Sequence, residues 1–490
     1  MSFQFLDQSP LPCYLDGKAW TGSSTYEVKD PHNPSKVLHT VSSIAEADVE
    51  KVVQVAHKAH KTWKKTPVTQ RREIFLKAAS IFKRRLPEFV EVEAHETVST
   101  KGWSGFDISL AIESIEEVAA VCTAALRGEI ATTASSQRAY IERCSFGVVL
   151  GIAPWNAPVT LSQRSVLQPI MAGNSAILKT SEMSPRTHLM LAEVLSEAGL
   201  PDGVLSIVHV SPKDAPKVTE ALIAHREVRK VNFTGSTRVG SIVASLCGKY
   251  IKPVVLELGG KAPAIVCEDA DLEHAANAIK FGAFFHSGQI CMATQTAIVH
   301  ESVADQFVEI FAKSHPKASN EPESQMRGLF TEASAQRTKE IVEDALSKGA
   351  KVVAGEEQAQ EEGNIIQPRL LRGVTDKMRI YKEEMFSPTF SILTFKIDEE
   401  AIDIANDNDY GLAASVFTKN ESRGFKIASQ IDAGQVHICG ATIHDSGAVP
   451  HGGWKMSGFG RFNGLEGIRE FTQLKTITIN EPHPYPAPEA

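Results

Sequence analysis

The sequence predicts an α/β protein built around a doubly wound parallel sheet, and three observations carry that prediction. Short apolar runs without polar alternation recur at 147–153, 175–179, 204–210, 230–234 and 253–258. Helix-like stretches separate several of them, near 185–198, 214–225 and 236–247. The alternation then resumes, with runs near 262–267, 295–299, 351–354, 413–418 and 435–439 and helical segments near 271–286, 301–313, 334–348 and 420–431. Strands without a polar face are buried on both sides, and helical crossovers between them make them parallel. In such sheets ligands bind beyond the carboxyl ends of the strands.

Ahead of this region the first 140 residues read mostly as helices after a short strand-and-turn start. Between 46 and 64, Val49, Val52, Val53, Ala56, Ala59 and Trp63 form one stripe at helical spacing. Ile74, Ala78, Ile81 and Phe82 repeat it within 70–85, and core packing explains both stripes. The acidic run 356–362 reads as a solvated loop. A strand is expected at 475–480, followed by a Pro-rich tail too short for a core of its own, so it is disordered or packs on another chain.

At one domain per ~150 residues, a chain of 490 amounts to roughly three domains. With 51 basic and 59 acidic residues the formal charge is −8, the wrong sign for a nucleic-acid binder or for lasting attachment to an anionic membrane. No run approaches the ~18 apolar residues of a membrane helix, and the first residues carry no secretory or transit pattern. Seven thinly spread cysteines without a CxxC point to a reduced, cytoplasmic compartment.

Three places could carry chemistry. Gly235 and Gly240 flank the turn between an apolar strand and a helix, where exposed N–H groups suit a phosphate. Their spacing is neither the dinucleotide fingerprint nor the phosphate loop, and an ordinary strand–helix turn looks the same. Glu257 leaves the carboxyl end of the next strand ahead of Gly259 and Gly260, as a ligand-facing group or as a capped carboxylate. Cys291 follows Gly288 on a loop between a helix and a strand, whereas Cys122, Cys247 and Cys267 sit in apolar periodic contexts. A thiol on a loop at a sheet's ligand edge is the candidate nucleophile. No HExxH occurs, and His437, His444 and His451 are too widely spaced for one helical face, so no metal site is expected.

These places fall into the order of one family. Pro154-Trp155-Asn156, Lys179-Thr180-Ser181-Glu182, Phe233-Thr234-Gly235-Ser236, Glu257-Leu258-Gly259-Gly260-Lys261 and Gly288-Gln289-Ile290-Cys291 are joined by Glu383-Glu384-Met385-Phe386-Ser387-Pro388, Tyr410-Gly411-Leu412 and the run 452–458. Over essentially its whole length the chain resembles the aldehyde dehydrogenase superfamily. The resemblance implies a Rossmann-type NAD domain at 1–124 and 146–256, an α/β catalytic domain at 257–455, a small β oligomerisation element at 125–145 with 474–484, and a tail at 485–490. It implies a homodimer or homotetramer acting on a small aldehyde. Cys291 would be the nucleophile, Glu257 the general base and the Asn156 amide an oxyanion donor. Ile152, Pro154, Trp155, Lys179, Glu182, Gly235, Ser236, Gly259, Glu384 and Phe386 would hold the cofactor. A carboxylate at Glu182 favours NAD, with NADP as the alternative.

Within the superfamily, 147–158, Gly282-Ala283-Phe284-Phe285, Thr442-Ile443-His444-Asp445 and Gly460-Arg461-Phe462 are similar to salicylaldehyde and vanillin-type dehydrogenases. The implied substrate is an aromatic aldehyde, with an aliphatic or broad-specificity dehydrogenase as the alternative and a cysteine hydrolase as a more distant one. The expected pocket contains Leu161, Arg164, Ile290, Met292 and His451, with Arg164 either facing hydroxylated rings or anchored behind them. Five departures stand out. Phe462 and Ser165 replace a glutamate and a lysine that relay protons to the base, so Glu257 is expected to exchange protons with solvent directly. Ser387 replaces a glycine, Cys439 an asparagine, and His451 a phenylalanine of the substrate tunnel, where its polar tip is expected near the entrance.

Overall fold

The computed structural model describes residues 3–133, 137–314, 316–321, 323–356, 361–482 and 484–485. Its first large sheet contains five parallel strands in the spatial order Leu205–Val208, Ser175–Lys179, Val148–Ile152, Val228–Thr234 and Val254–Glu257. Every residue of Val148–Ile152 and Ser175–Lys179 is buried, as uniformly apolar strands require. The hairpin Cys13–Leu15 with Lys18–Trp20 extends one edge, and Gly458–Phe459 runs antiparallel to Val254–Glu257 at the other. Strand order reverses between Val148–Ile152 and Val228–Thr234. The crevice beyond their carboxyl ends is therefore where such a sheet binds ligands.

The second sheet has the order Lys351–Ala354, Arg369–Arg372, Thr389–Phe395, Thr294–His300, Ala262–Val266, Ala413–Phe417 and Gln435–Ile438. All but its first strand run parallel to their neighbours. The strands expected near 262, 295, 351, 413 and 435 are present. Arg369–Arg372 and Thr389–Phe395 were not anticipated, because the first is four residues bounded by arginines and the second mixes Thr and Ser into its apolar run.

Helices at Val49–Trp63 and Val68–Glu96 occupy the two amphipathic stretches. The second extends past 85 and through Pro87, since Phe89 and Val92 continue the buried face begun by Phe82. A third, Lys101–Ala125, follows. The opening segment is more strand-rich than expected, adding a second hairpin of Ser24–Asp30 with Asn33–Ser43. Thr472–Ile479 pairs with Arg138–Ser145, which pairs with Glu129–Thr132, in a separate three-stranded sheet. Of the acidic run, 357–360 lie outside the described residues, as do 483 and 486–490 of the tail. Among the described residues no helix is long and apolar enough to cross a membrane.

Candidate active site

Cys291 lies half-buried on the loop that leaves helix Leu272–Phe284. His286, Ser287 and Gly288 all take positive φ (50°, 57° and 70°), turning the chain sharply three residues before the thiol. Local contacts hold this bend: His286 stacks on Trp103 with ring centroids 4.4 Å apart, Ser287 Oγ donates to Arg327 O, and Gln289 Oε1 accepts from Phe330 N at 2.9 Å. Asn156, on the loop after Val148–Ile152, donates from Nδ2 to Gln289 O at 3.0 Å, and its own carbonyl accepts from Trp103 Nε1 at 3.0 Å. An amide nitrogen carries two hydrogens, so the second remains for a ligand beside the thiol. Among the described residues the Cys291 N–H donates to no other group.

The Cys291 thiol donates to Glu257 Oε1 at 3.1 Å, across from the last residue of strand Val254–Glu257. Glu257 is 1% exposed, and both its neighbours are cationic or titratable: Arg164 at 3.6 Å from Oε2 and His451 Nε2 at 3.5 Å from Oε1. Burial alone would raise this carboxyl, but His451 and Arg164 outweigh it and hold the group below the ordinary glutamate range. Burial and the adjacent Glu257 charge push the Cys291 thiol well above its usual range. At rest the shared proton therefore sits on sulfur. Arg164 also pairs with buried Asp445 at 2.5 Å. Burial would raise Asp445 too, yet the guanidinium and His451 keep it at about 2.

Glu257 and Cys291 open on a narrow cavity of about 40 Å³. Trp103, Phe106, Ile290, Met292 and Ile443 form its apolar walls, Ala157 and Leu161 line the Asn156 side, and Arg164 with Asp445 closes the far end. Trp103, Phe106 and Phe285 pack edge-on and tilted at 5.1–5.7 Å, giving one rigid aromatic wall. Asp107 accepts from Val159 N and Thr160 N at 2.9 and 3.0 Å, capping helix Pro158–Met171 and fixing it to the helix that carries the wall.

Of the cofactor residues expected from the resemblance, all but Glu384 and Phe386 stand at or just after the carboxyl ends of first-sheet strands. Ile152 ends its strand, and Trp155 stands edge-on to Phe386 at 6.1 Å. Ser236 caps helix Thr237–Lys249, and Gly235 N donates to Glu257 O at 3.0 Å. Pro154 O is held by His188 at 3.0 Å. Lys179 is 6% exposed with one long hydrogen bond, 3.4 Å to Thr180 O; burial lowers its ammonium and Glu182 opposes this. A buried cation so thinly partnered is suited to polar oxygens of a ligand. Glu384 accepts from Gly260 N at 2.9 Å, and burial raises it to about 7. A Cβ on Gly259 would come within 2.5 Å of that carboxylate and force the Glu384 side chain to shift. Beside Glu182 a cavity of about 620 Å³ is lined by Met183, Pro212, Phe330 and the Tyr26–Pro34 segment. A helix N-terminus at the switch point and an under-partnered lysine fit a dinucleotide.

The structure thus brings Cys291, Glu257 and Asn156 together, and Leu161, Arg164, Ile290 and Met292 around one cavity. His451 is placed differently from the expectation. It is fully buried behind Glu257, with Nδ1 facing Gln435 Oε1 at 3.2 Å, because its backbone pairs with Phe462 and turns the ring inward from the entrance. The expectation that Glu257 exchanges protons directly with solvent also fails: Arg164 and His451 cover it. Arg164 joins both alternatives, lining the cavity while anchored to Asp445. Sequence reading missed Trp103, Phe106 and Asp445 as cavity residues. An aromatic pair at i,i+3 on one helix was the available signal for the first two. Among the described residues no group of His, Cys, Asp and Glu could hold a metal ion.

Comparison with known proteins agrees with this geometry. The aldehyde dehydrogenase family model matches residues 20–477. Vanillin dehydrogenase of a Pseudomonas species is 42% identical over 483 residues, 97% of this chain and 99% of the relative. The crystal structure of a salicylaldehyde dehydrogenase from Pseudomonas putida G7, complexed with salicylaldehyde, superimposes with a TM-score of 0.93 at 36% identity, covering 97% and 99% of the two chains. A betaine aldehyde dehydrogenase of Staphylococcus aureus in complex with NAD+ gives 0.91 at 26% identity, covering 96% and 98%. A match of this extent, on a chain whose Cys291 thiol meets the Glu257 carboxylate, means that the chain belongs to the aldehyde dehydrogenase family, enzymes that oxidise aldehydes with NAD(P).

Proposed function

We propose that the enzyme oxidises a hydroxylated benzaldehyde to the aromatic acid with NAD. The observation that carries the substrate class is the cavity itself, an aromatic wall of Trp103 and Phe106 facing Ala157 and Leu161, with the Arg164–Asp445 pair at its end. A flat ring suits such a slot, and the charged pair offers a donor and an acceptor to a phenolic hydroxyl. The vanillin and salicylaldehyde dehydrogenases among the relatives support the same reading.

In this mechanism the Cys291 thiol passes its proton to Glu257 as sulfur adds to the carbonyl carbon. Charge that develops on oxygen is met by the free Asn156 amide hydrogen and the Cys291 N–H. One such donor is worth roughly 3–4 kcal/mol. A bound nicotinamide would supply the hydride acceptor that conversion of the thiohemiacetal to a thioester requires. Lys179, Glu182, Ser236, Gly259, Glu384 and Phe386 would hold the dinucleotide. Glu257 then takes a proton from water as its oxygen attacks the acyl carbon, the C–S bond breaks, and the acid leaves.

An aldehyde panel tests the substrate class. Hydroxybenzaldehydes should exceed straight-chain aldehydes in kcat/KM by about 10-fold or more, since pocket shape discriminates on that scale. Equal or better use of alkyl aldehydes would overturn the assignment. Arg164→Met combined with Asp445→Asn should lower the ratio of hydroxybenzaldehyde to benzaldehyde turnover. Both charges are removed together because a lone buried one costs about 3–5 kcal/mol.

The cofactor preference rests on Glu182, whose carboxylate repels a 2′-phosphate. Titration with each dinucleotide should give a kcat/KM for NAD about 10-fold above NADP, and Glu182→Gln should narrow the gap. A native preference for NADP would sink the assignment. Two further expectations are part of this reading. The exposed apolar residues Ile130, Leu474, Ile477 and Ile479 on the three-stranded sheet support a homodimer or homotetramer. Seven free thiols support a reduced, cytoplasmic setting.

A further inference from the structure

Glu257 has a proton problem in the mechanism just described. It receives one proton from the thiol and a second from water, and it must be emptied between the two steps. Its neighbours decide where the first proton goes. Cys291 is the donor of that proton, and Arg164 cannot accept one. The family's relay positions are closed: Ser165 Oγ donates to Leu161 O at 2.7 Å, and the Phe462 ring lies under Arg164 with its guanidinium carbon 5.6 Å from the centroid. The remaining neighbour is an imidazole, the side chain that accepts and releases protons near neutral pH.

We propose that His451 is the proton acceptor behind Glu257, a positioning residue that returns the carboxyl to its basic form before thioester hydrolysis. This rests on Glu257 being the general base. His451 is held in place by paired backbone hydrogen bonds with Phe462, 2.9 and 2.8 Å. Its Nδ1 faces Gln435 Oε1 at 3.2 Å, a carbonyl oxygen that only accepts, so in the neutral ring the hydrogen belongs on Nδ1. The Nε2 lone pair then faces Glu257 Oε1 at 3.5 Å, with no other hydrogen-bond partner. Catalytic hydrogen bonds of this length commonly tighten when the substrate is bound. A proton on Glu257 Oε1 moves to Nε2, and the Nδ1 proton passes to solvent beside Gln435, which is half-buried at the start of strand Gln435–Ile438.

The titratable and charged groups that face His451 are Glu257 at the end of its strand, Asp445 after the second sheet, Arg164 on its helix and His437 on strand Gln435–Ile438. Burial lowers the His437 imidazole. A protonated His451 cannot accept, so thioester hydrolysis should slow as pH falls and His451 takes up a proton. In the native enzyme kcat thus acquires an acid limb belonging to the imidazole.

Stopped-flow NADH formation on the full-length enzyme tests this. His451→Phe and His451→Gln should retain a first-turnover burst while steady-state kcat falls about 10²-fold. The acid limb of kcat should disappear, and added imidazole should restore part of the rate to a His451→Gly variant. If the substituted enzymes keep the native kcat and acid limb, the inference is overturned. A kcat loss that leaves the limb in place and does not respond to imidazole overturns it too, since the residue would then only shape the site. Glu257→Gln separates the two proposals: native turnover in that variant removes the general base itself, whereas a stalled Glu257→Gln enzyme beside unaffected His451 variants removes the relay alone.

Discussion

Replacing Cys291 with serine is expected to lower kcat/KM by more than about 10⁴-fold while leaving the fold and dinucleotide binding intact. The reason is visible in the pairing of the two groups. Glu257 is held below the ordinary glutamate range, so it is a weak acceptor. It can take a thiol proton as sulfur attacks, but a serine hydroxyl is far less acidic and its oxygen less nucleophilic at neutral pH. Among the described residues no other thiol lines the cavity, and Cys13, Cys247 and Cys267 are buried in the cores. Kinetics with a hydroxybenzaldehyde read the loss. Alkylation with iodoacetamide, followed by peptide mass mapping, should mark Cys291 and be blocked by substrate. Retention of more than a few per cent of native activity in Cys291→Ser would reject it as the nucleophile.

The second large effect belongs to Glu257→Gln, which should slow NADH formation in the first turnover and lower steady-state turnover by ~10²–10⁴-fold. Glutamine keeps the size of the side chain and can still accept a hydrogen bond from the thiol, but it takes no proton from sulfur or from water. The acyl group that does form should then remain on sulfur and appear as an added mass on the intact protein. The pH dependence has a defined sign. Because His451 and Arg164 outweigh burial at Glu257, its folded-state pKa lies below the unfolded value. It remains ionised as pH falls to and below the ordinary glutamate range, and the stability it contributes is lost only as pH drops through the depressed value. An acid limb of kcat nearer neutrality therefore belongs to another group. A variant that turns over at the native rate without accumulating acyl-enzyme would end the case for Glu257 as base.

Much of the framework was legible in the chain. The buried strands Val148–Ile152 and Ser175–Lys179 appear as apolar runs because neither face meets water, and their crossover helices carry a separate 3.6-residue period. Arg369–Arg372 and Thr389–Phe395 were invisible for the complementary reason. Short or mixed strands owe their state to the neighbours they pair with, and those lie dozens of residues away. Helix Val68–Glu96 shows the same override, since a proline that reads as a stop is carried through by buried residues on both sides.

At the site the division is sharper. By itself the sequence determined the α/β alternation, the placement of Glu257 at a strand's carboxyl end and of Cys291 on a loop, and the motif order that resembles one family. Each of these depends on residues close together along the chain. Only the tertiary structure decided what surrounds the two groups. His451 lies behind the carboxylate instead of at the tunnel mouth, Arg164 is shared between Glu257 and Asp445, and Trp103 with Phe106 walls the cavity. Residues 103, 164, 257, 291, 445 and 451 come from five separate segments. They meet because the strand order reverses at the crevice, the helix bearing Trp103 docks through Asp107 onto the helix after Asn156, and Phe462 pins the backbone of His451. Local periodicity reports which side of an element is buried, and contacts among distant segments set the charge and proton balance of what is buried there.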